Sequence, residues 1–296
     1  MSEGRPAGQA AGGKFDFGQW LRIRKKFPHL WCPGCGLGII LQAVIRSFHR
    51  LGYSKDELVL VSGIGCTGRI PVYVDCNTLH TTHGRALTFA TGIKLARPEL
   101  KVVVFMGDGD ALAIGGNHFI HAARRDIDLT AVVVNNAIYG MTGGQVSPTT
   151  PGGMRSTTTP EGSFGRPFDI CDLACAAGAT YVARSTAANS RHMQKMLRQG
   201  LDHKGFSMIE IVSNCHTTYG RMNRLGTHLD MLGDYRERTV EAGPELDVGN
   251  AKAEARIIVG VLRREEDRGA LAGHANGGSH LGCLSGTPGP DGDKKE

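Results

Sequence analysis

The chain has 296 residues, with 34 Lys and Arg against 28 Asp and Glu, a net charge of +6, 42 glycines and eight cysteines. That length accommodates one or two domains with a full core, and 41% hydrophobic against 21% charged residues excludes a disordered or collagen-like chain. Apolar runs such as Val102–Met106 fall far short of the roughly 18 residues a membrane span needs, so no membrane association is expected.

In chain order, residues 1–13 are small and polar and lack the apolar segment of a secretory signal, which predicts a flexible tail and a cytoplasmic protein. The basic excess gathers in patches such as Arg22–Lys26 with no interleaved aromatic residues, so nucleic acid is not an expected partner. Trp31-Cys32-Pro33-Gly34-Cys35-Gly36 then opens a helix predicted over 36–51. Strands are predicted over 58–63, 102–106, 129–134, 180–183 and 208–212 from their apolar, β-branched runs. Helical periodicity fills 84–96, 111–124, 169–177 and 189–203 between them. Residues 266–296, rich in Gly and Pro, read as a second tail, leaving one domain over 14–265.

This alternation predicts an α/β fold: a doubly wound parallel sheet with helices on both faces. Ligands of such sheets bind outside the carboxyl ends of the strands. The loops of interest are therefore 63–69, 107–110, 135–150 and 213–224.

Strand 102–106 runs into Gly107-Asp108-Gly109-Asp110 and then a helix. Glycines at such a turn admit a ligand close to the backbone, and a helix N-terminus favours an anion such as phosphate. Asp108 suits a Mg²⁺ carried by that phosphate, and Asn136, at the end of the next strand, offers a second oxygen. Two diphosphate oxygens, Asp108, Asn136, a main-chain carbonyl and a water would complete six ligands. Gly-Asp-Gly alone is also an ordinary capped turn. The combination of turn, helix, strand and an Asn 28 residues after the Asp resembles the thiamine diphosphate motif. In that motif the third protein ligand is the carbonyl two residues beyond the Asn, here Ile138.

Eight cysteines in a chain with no secretory signal point to metal or redox chemistry rather than disulfides. Cys32 and Cys35 form one pair; Cys66 and Cys215 lie in turns at the ligand edge of the sheet. Four thiolates suit Zn²⁺ or an iron–sulfur cluster, and the presence of only one C-x-x-C half favours [4Fe–4S]. Cys171 and Cys175, spaced i, i+4 in an apolar helix, read as core; Cys76 and Cys283 have no assigned role.

W-C-P-G-C-G at 31–36, G-I-G-C at 63–66, H-G-R-A at 83–86, G-D-G-D at 107–110, N-N-A-I-Y-G-M-T-G-G-Q at 135–145 and S-N-C-H at 213–216 occur in an order that resembles the β subunits of 2-oxoacid:ferredoxin oxidoreductases. The resemblance covers residues 28–265. It implies thiamine diphosphate with Mg²⁺ on Asp108, Asn136 and the Ile138 carbonyl, and one [4Fe–4S] cluster on Cys32, Cys35, Cys66 and Cys215. It further places Ile64, Gly65, Cys66, Thr67, His83, Gly109, Asp110, Gly140 and Met141 around the cofactor, although His83 taken alone reads equally as a capping or core histidine. The M-T-G-G-Q segment resembles the 2-oxoglutarate branch, which makes Thr142 a further catalytic candidate. Arg69 offers a cation for the distal carboxylate of that substrate; a solvated surface role fits it as well.

The resemblance implies conversion of 2-oxoglutarate, coenzyme A and oxidised ferredoxin to succinyl-CoA, CO₂ and reduced ferredoxin, in either direction. It also implies a companion α subunit that supplies the pyrimidine-side Glu, in an αβ or (αβ)₂ assembly, and an acidic ferredoxin that a +6 chain would help to steer. Two alternatives stay open: a pyruvate or branched-chain 2-oxoacid substrate, and a non-enzymatic, zinc-stabilised binding module.

Overall fold

A computed structural model describes residues 15–265; the two predicted tails and Cys283 lie outside the described residues. The strands are β1 Leu58–Ser62, β2 Asn77–His80, β3 Lys101–Gly107, β4 Thr130–Asn135, β5 Ile138–Tyr139, β6 Gln145–Val146, β7 Tyr181–Thr186, β8 Ser207–Val212, β9 Thr239–Glu241 and β10 Ile257–Arg264. Eight of them form one sheet in the order β2-β1-β3-β4-β8-β7-β10-β9, and β5 and β6 form a separate ribbon.

The five expected strands are present, and their alternation divides the core in two. Leu58, Leu60, Val103, Phe105, Val132, Val134, Ile209 and Ile211 pack on one face, against helices Leu37–Arg50 and Ser190–Asp202. Val59, Val61, Val102, Val104, Ala131, Val133 and Met208 pack on the other, against helices Ala86–Ala96, Gly116–Arg124 and Ile170–Ala176. Helices on both faces of a sheet buried on both sides give the doubly wound arrangement.

Three differences from the sequence expectation have local causes. The sheet is mostly rather than wholly parallel, because β10 returns antiparallel to β7. β2 is an edge strand whose residues are largely exposed, so it has no apolar run to announce it. The helix expected over 111–124 is two helices, Asp108–Leu112 and Gly116–Arg124. Between them the chain turns so sharply that a Cβ at Gly115 would collide with the Asp110 carbonyl. Among the described residues no helix is long and apolar enough to cross a membrane.

Candidate cofactor and thiol site

The carboxyl ends of β1, β3 and β4 open onto a cavity of about 200 Å³. Ile64, Gly65, Cys66, Thr67, His83, Asp108, Gly109, Asp110, Asn136, Ile138, Gly140, Met141 and Thr142 all line it. Gly107 and Tyr139, which belong to the quoted motifs but were not among the candidate site residues, complete the wall. Arg69 is not among the lining residues; it is half-buried in the short helix that follows Cys66.

Two buried carboxylates dominate the floor. Asp108 is only 2% exposed and accepts a hydrogen bond from Thr149 Oγ1 at 2.6 Å. Burial pushes its pKa up, against hydrogen bonds from Ser147, Thr149 and the amides of Asp108 and Gly109. Asp110 is equally buried and raised by burial, opposed by the Gly84 amide, His83 and the Ile64 amide. Its Oδ1 accepts from Gly84 N at 2.6 Å and lies 2.6 Å from His83 Nδ1. Asp110 thus ties together the loops after β1, β2 and β3, and Gly63 must lack a Cβ because one would overlap the Asp110 carboxylate.

The adjacent asparagines have different surroundings. Asn136 lines the cavity with Asp108, and its Oδ1 accepts from Ile138 N at 3.4 Å. Asn135, by contrast, donates from Nδ2 to Glu210 Oε1 at 2.8 Å. The Ile138 carbonyl accepts from Gly140 N at 3.1 Å, which leaves one of its two lone pairs. A buried carboxylate, a carboxamide oxygen and a free carbonyl lone pair form an all-oxygen donor set suited to a hard cation such as Mg²⁺. Thr149 lies in the expected ligand-edge loop 135–150, but no motif distinguished it from its neighbours; the fold brings it to Asp108.

Beside this cavity lie four thiols. Burial pushes Cys35 up to about 12; an amide hydrogen bond at Leu37 opposes this, and Cys66, Cys215 and Cys32 reinforce it. Cys66 is raised by burial and then by Cys215 and Cys32, with the Arg69 guanidinium opposing. The four sulfurs therefore sense one another across one small region, although they come from residues 32 to 215. Cys32, the exposed member, accepts from Thr217 Oγ1 at 3.5 Å, and Asn214 Nδ2 donates to the Gly34 carbonyl at 3.1 Å. A Cβ at Gly140 would sit 3.2 Å from Cys215 Sγ, so the cavity wall and the thiol group are in contact there.

Thiols raised in this way become thiolates only with bound positive charge beside them, which is what a metal centre supplies. Among the described residues, Asp169, Cys171 and Glu210 form the one group of three or more His, Cys, Asp or Glu ligand atoms within 4.8 Å of one another. Cys76 is half-buried and pushed up to about 12 by burial, with Arg22 opposing. Cys171 is fully buried, donates to Glu210 Oε2 at 3.3 Å, and packs with the partly buried Cys175 in the second core face.

Fold and cavity together define an α/β protein of the diphosphate-binding kind, with oxygen ligands at the carboxyl edge of its sheet. Residues 63–211 match the family model "Thiamine pyrophosphate enzyme, C-terminal TPP binding domain". The chain is 50% identical over 237 residues to 2-oxoglutarate synthase subunit KorB of Methanothermobacter marburgensis, covering 80% of this chain and 83% of the relative. It is 59% identical over 204 residues to the subunit of the same name from Archaeoglobus fulgidus, covering 69% and 76%. A solved structure, 2-oxoglutarate:ferredoxin oxidoreductase from Magnetococcus marinus with 2-oxoglutarate, coenzyme A and succinyl-CoA bound, superposes with a TM-score of 0.76 at 34% identity, over 86% of each chain. The chain belongs to the β-subunit family of 2-oxoacid:ferredoxin oxidoreductases, in its 2-oxoglutarate synthase KorB branch.

Proposed function

We propose that the chain is the thiamine diphosphate-binding subunit of a CoA-acylating 2-oxoglutarate:ferredoxin oxidoreductase. The observation that carries this reading is the double membership of Cys66, which lines the oxygen-ligand cavity and also belongs to the group of four thiols. When bound, thiamine diphosphate supplies the chemistry that decarboxylates a 2-oxoacid, and an iron–sulfur cluster accepts the electrons one at a time.

Asp108, Asn136 and the Ile138 carbonyl would hold Mg²⁺, with Gly65, Thr67, Gly109, Asp110, Gly140 and Met141 forming the walls against which the cofactor packs. Cys32, Cys35, Cys66 and Cys215 would hold a [4Fe–4S] cluster, a reading supported by the mutual electrostatic interaction of these four thiols beside the cavity. His83 and Thr142 line the same cavity. Arg69 is assigned to the distal carboxylate of 2-oxoglutarate, acting from the margin of the cavity beside Cys66. Replacing it with Met should raise KM for 2-oxoglutarate strongly and for pyruvate little; equal effects would refute this role.

The carboxylates lining the cavity are Asp108 and Asp110, with no glutamate among the described lining residues. Thiamine chemistry needs a Glu on the aminopyrimidine, which the companion α subunit would supply. Ile64 and Met141, 37% and 45% exposed at the cavity rim, are large apolar side chains that such a subunit would cover. Ferredoxin is the expected electron acceptor and the cytoplasm the expected compartment. Anaerobic co-purification with the companion subunit tests the whole reading. Bound thiamine diphosphate, four irons, and viologen reduction dependent on 2-oxoglutarate and coenzyme A are expected. One zinc without iron would overturn the cluster, and greater turnover of pyruvate or a branched-chain 2-oxoacid would overturn the substrate.

A further inference from the structure

The backbone between the two groups offered to the metal is held in an unusual shape. Ala137 lies between Asn136 and Ile138 and has φ +59°, in the left-handed region that non-glycine residues rarely occupy. Both of its main-chain polar groups are bound by side chains: the amide donates to Asn135 Oδ1 at 3.1 Å, and the carbonyl accepts from Thr150 Oγ1 at 2.7 Å.

Asn135 is in turn fixed from the core. Its Nδ2 donates to Oε1 of Glu210, which is 2% exposed on β8. The other Glu210 oxygen accepts from Arg184 Nε at 2.6 Å and from Cys171 Sγ at 3.3 Å. Arg184 is the register partner of Glu210 across β7 and β8, and its far nitrogen reaches Asp169 at 2.6 Å. Asp169, Cys171 and Glu210 resemble a metal triad, but this guanidinium already occupies the cation's place. The cluster is therefore an anchor, with both carboxamide atoms of Asn135 committed to protein partners.

We propose that Asn135 and Thr150 are positioning residues that hold Ala137 left-handed, so that the Asn136 carboxamide and the Ile138 carbonyl face one metal ion, with Glu210 fixing Asn135. The inference rests on the thiamine diphosphate reading above. Neither residue is a candidate ligand; both act through the turn, and Asn135 Oδ1 also accepts from Thr149, the residue that donates to Asp108.

The test uses the complex with the companion subunit, thiamine diphosphate present, and Mn²⁺ in place of Mg²⁺ followed by electron paramagnetic resonance. Asn135→Ala, which leaves the Arg184–Glu210 pair intact, should weaken Mn²⁺ binding about tenfold or more, the usual effect of losing a support behind a ligand. It should also speed amide exchange in peptides spanning 135–140, measured without any ligand. Adding Ala137→Gly to that variant should bring affinity back to within about threefold of the parent, because glycine takes up a left-handed φ unaided. A merely structural role for Asn135 would not be rescued in this way. Thr150→Val, a separate route to the same turn, should weaken Mn²⁺ binding in the same direction. Parent-like affinity in both Asn135→Ala and Thr150→Val, or a double variant no better than Asn135→Ala, would overturn the positioning role while leaving the cofactor reading intact. A parent complex that binds thiamine diphosphate and Mn²⁺ not at all would overturn the cofactor reading, and this inference with it.

Discussion

Gly109 and Tyr139 join the two loops of the candidate cofactor cavity. The phenolic hydroxyl donates to the Gly109 carbonyl at 3.2 Å, and a Cβ at Gly109 would fall inside the van der Waals envelope of the Tyr139 ring. One residue follows β3 and the other lies just beyond β4, so their contact sets the width of the cleft between adjacent strands.

That contact predicts opposite severities for two substitutions. Gly109→Ala should displace the Tyr139 ring into the cavity, lower stability by about 1–3 kcal/mol through overpacking, and abolish thiamine diphosphate binding. Tyr139→Phe removes one hydrogen bond and should cost about 1 kcal/mol while keeping most of the affinity. Thermal denaturation and cofactor titration of the two variants check the ordering.

The thiols predict a clean division among the described cysteines. Serine at Cys32, Cys35, Cys66 or Cys215 should each lower iron content and bleach the visible absorbance expected of a cluster. Serine at Cys76 or Cys175 should leave both unchanged, since neither is in the group of four. Anaerobic spectra and iron analysis of the six variants decide between these patterns.

Glu210 anchors Arg184, so Glu210→Gln leaves a buried guanidinium with only part of its compensating charge. Breaking one side of a buried pair in this way should destabilise the chain by about 3 kcal/mol. Urea denaturation measures the loss, and a variant within the error of the parent would contradict the anchoring role.

Lys101, at the start of β3, predicts a pH dependence unrelated to the site. Burial lowers its pKa from 10.5 to about 8, with Asp128 opposing. The folded state therefore releases this proton before the unfolded state does, so stability from this group rises between about pH 8 and 10.5. Lys101→Met should accordingly stabilise the chain at pH 7 by at most about 3 kcal/mol, the figure the shift alone sets, with the advantage disappearing near pH 10.5. Asp128 keeps Lys94, 2.9 Å away, as its partner in that variant. Denaturation curves at pH 7 and pH 10.5 provide the check.

The Gly63–Cys66, Gly107–Asp110, Asn135–Asn136 and Ser213–Cys215 segments were legible along the chain because each directly follows an apolar strand, whereas Cys32 and Cys35 were legible from their C-x-x-C spacing ahead of a helix. In a doubly wound sheet every such loop emerges at the same edge. Local chemistry was enough to set Asp108 against the Asn135-Asn136 pair, with the motif resemblance naming Asn136, and to select Cys32, Cys35, Cys66 and Cys215 as the candidate thiols. The strand count was legible only for runs buried on both faces: exposed β2 carried no apolar signal, and no local feature told that β10 would run antiparallel.

Which asparagine faces the cavity, and why the turn after it holds a left-handed alanine, depended on residues far away in the chain. Glu210 reaches Asn135 because β8 lies beside β4, and Arg184 reaches Glu210 because β7 lies beside β8. Strand order is a global compromise of packing and connection, so no local pattern records it. Local preference and hydrophobic period thus set the elements, the ligand edge and the chemistry available there. Contact between distant strands decided which of those groups point inward and what keeps them there.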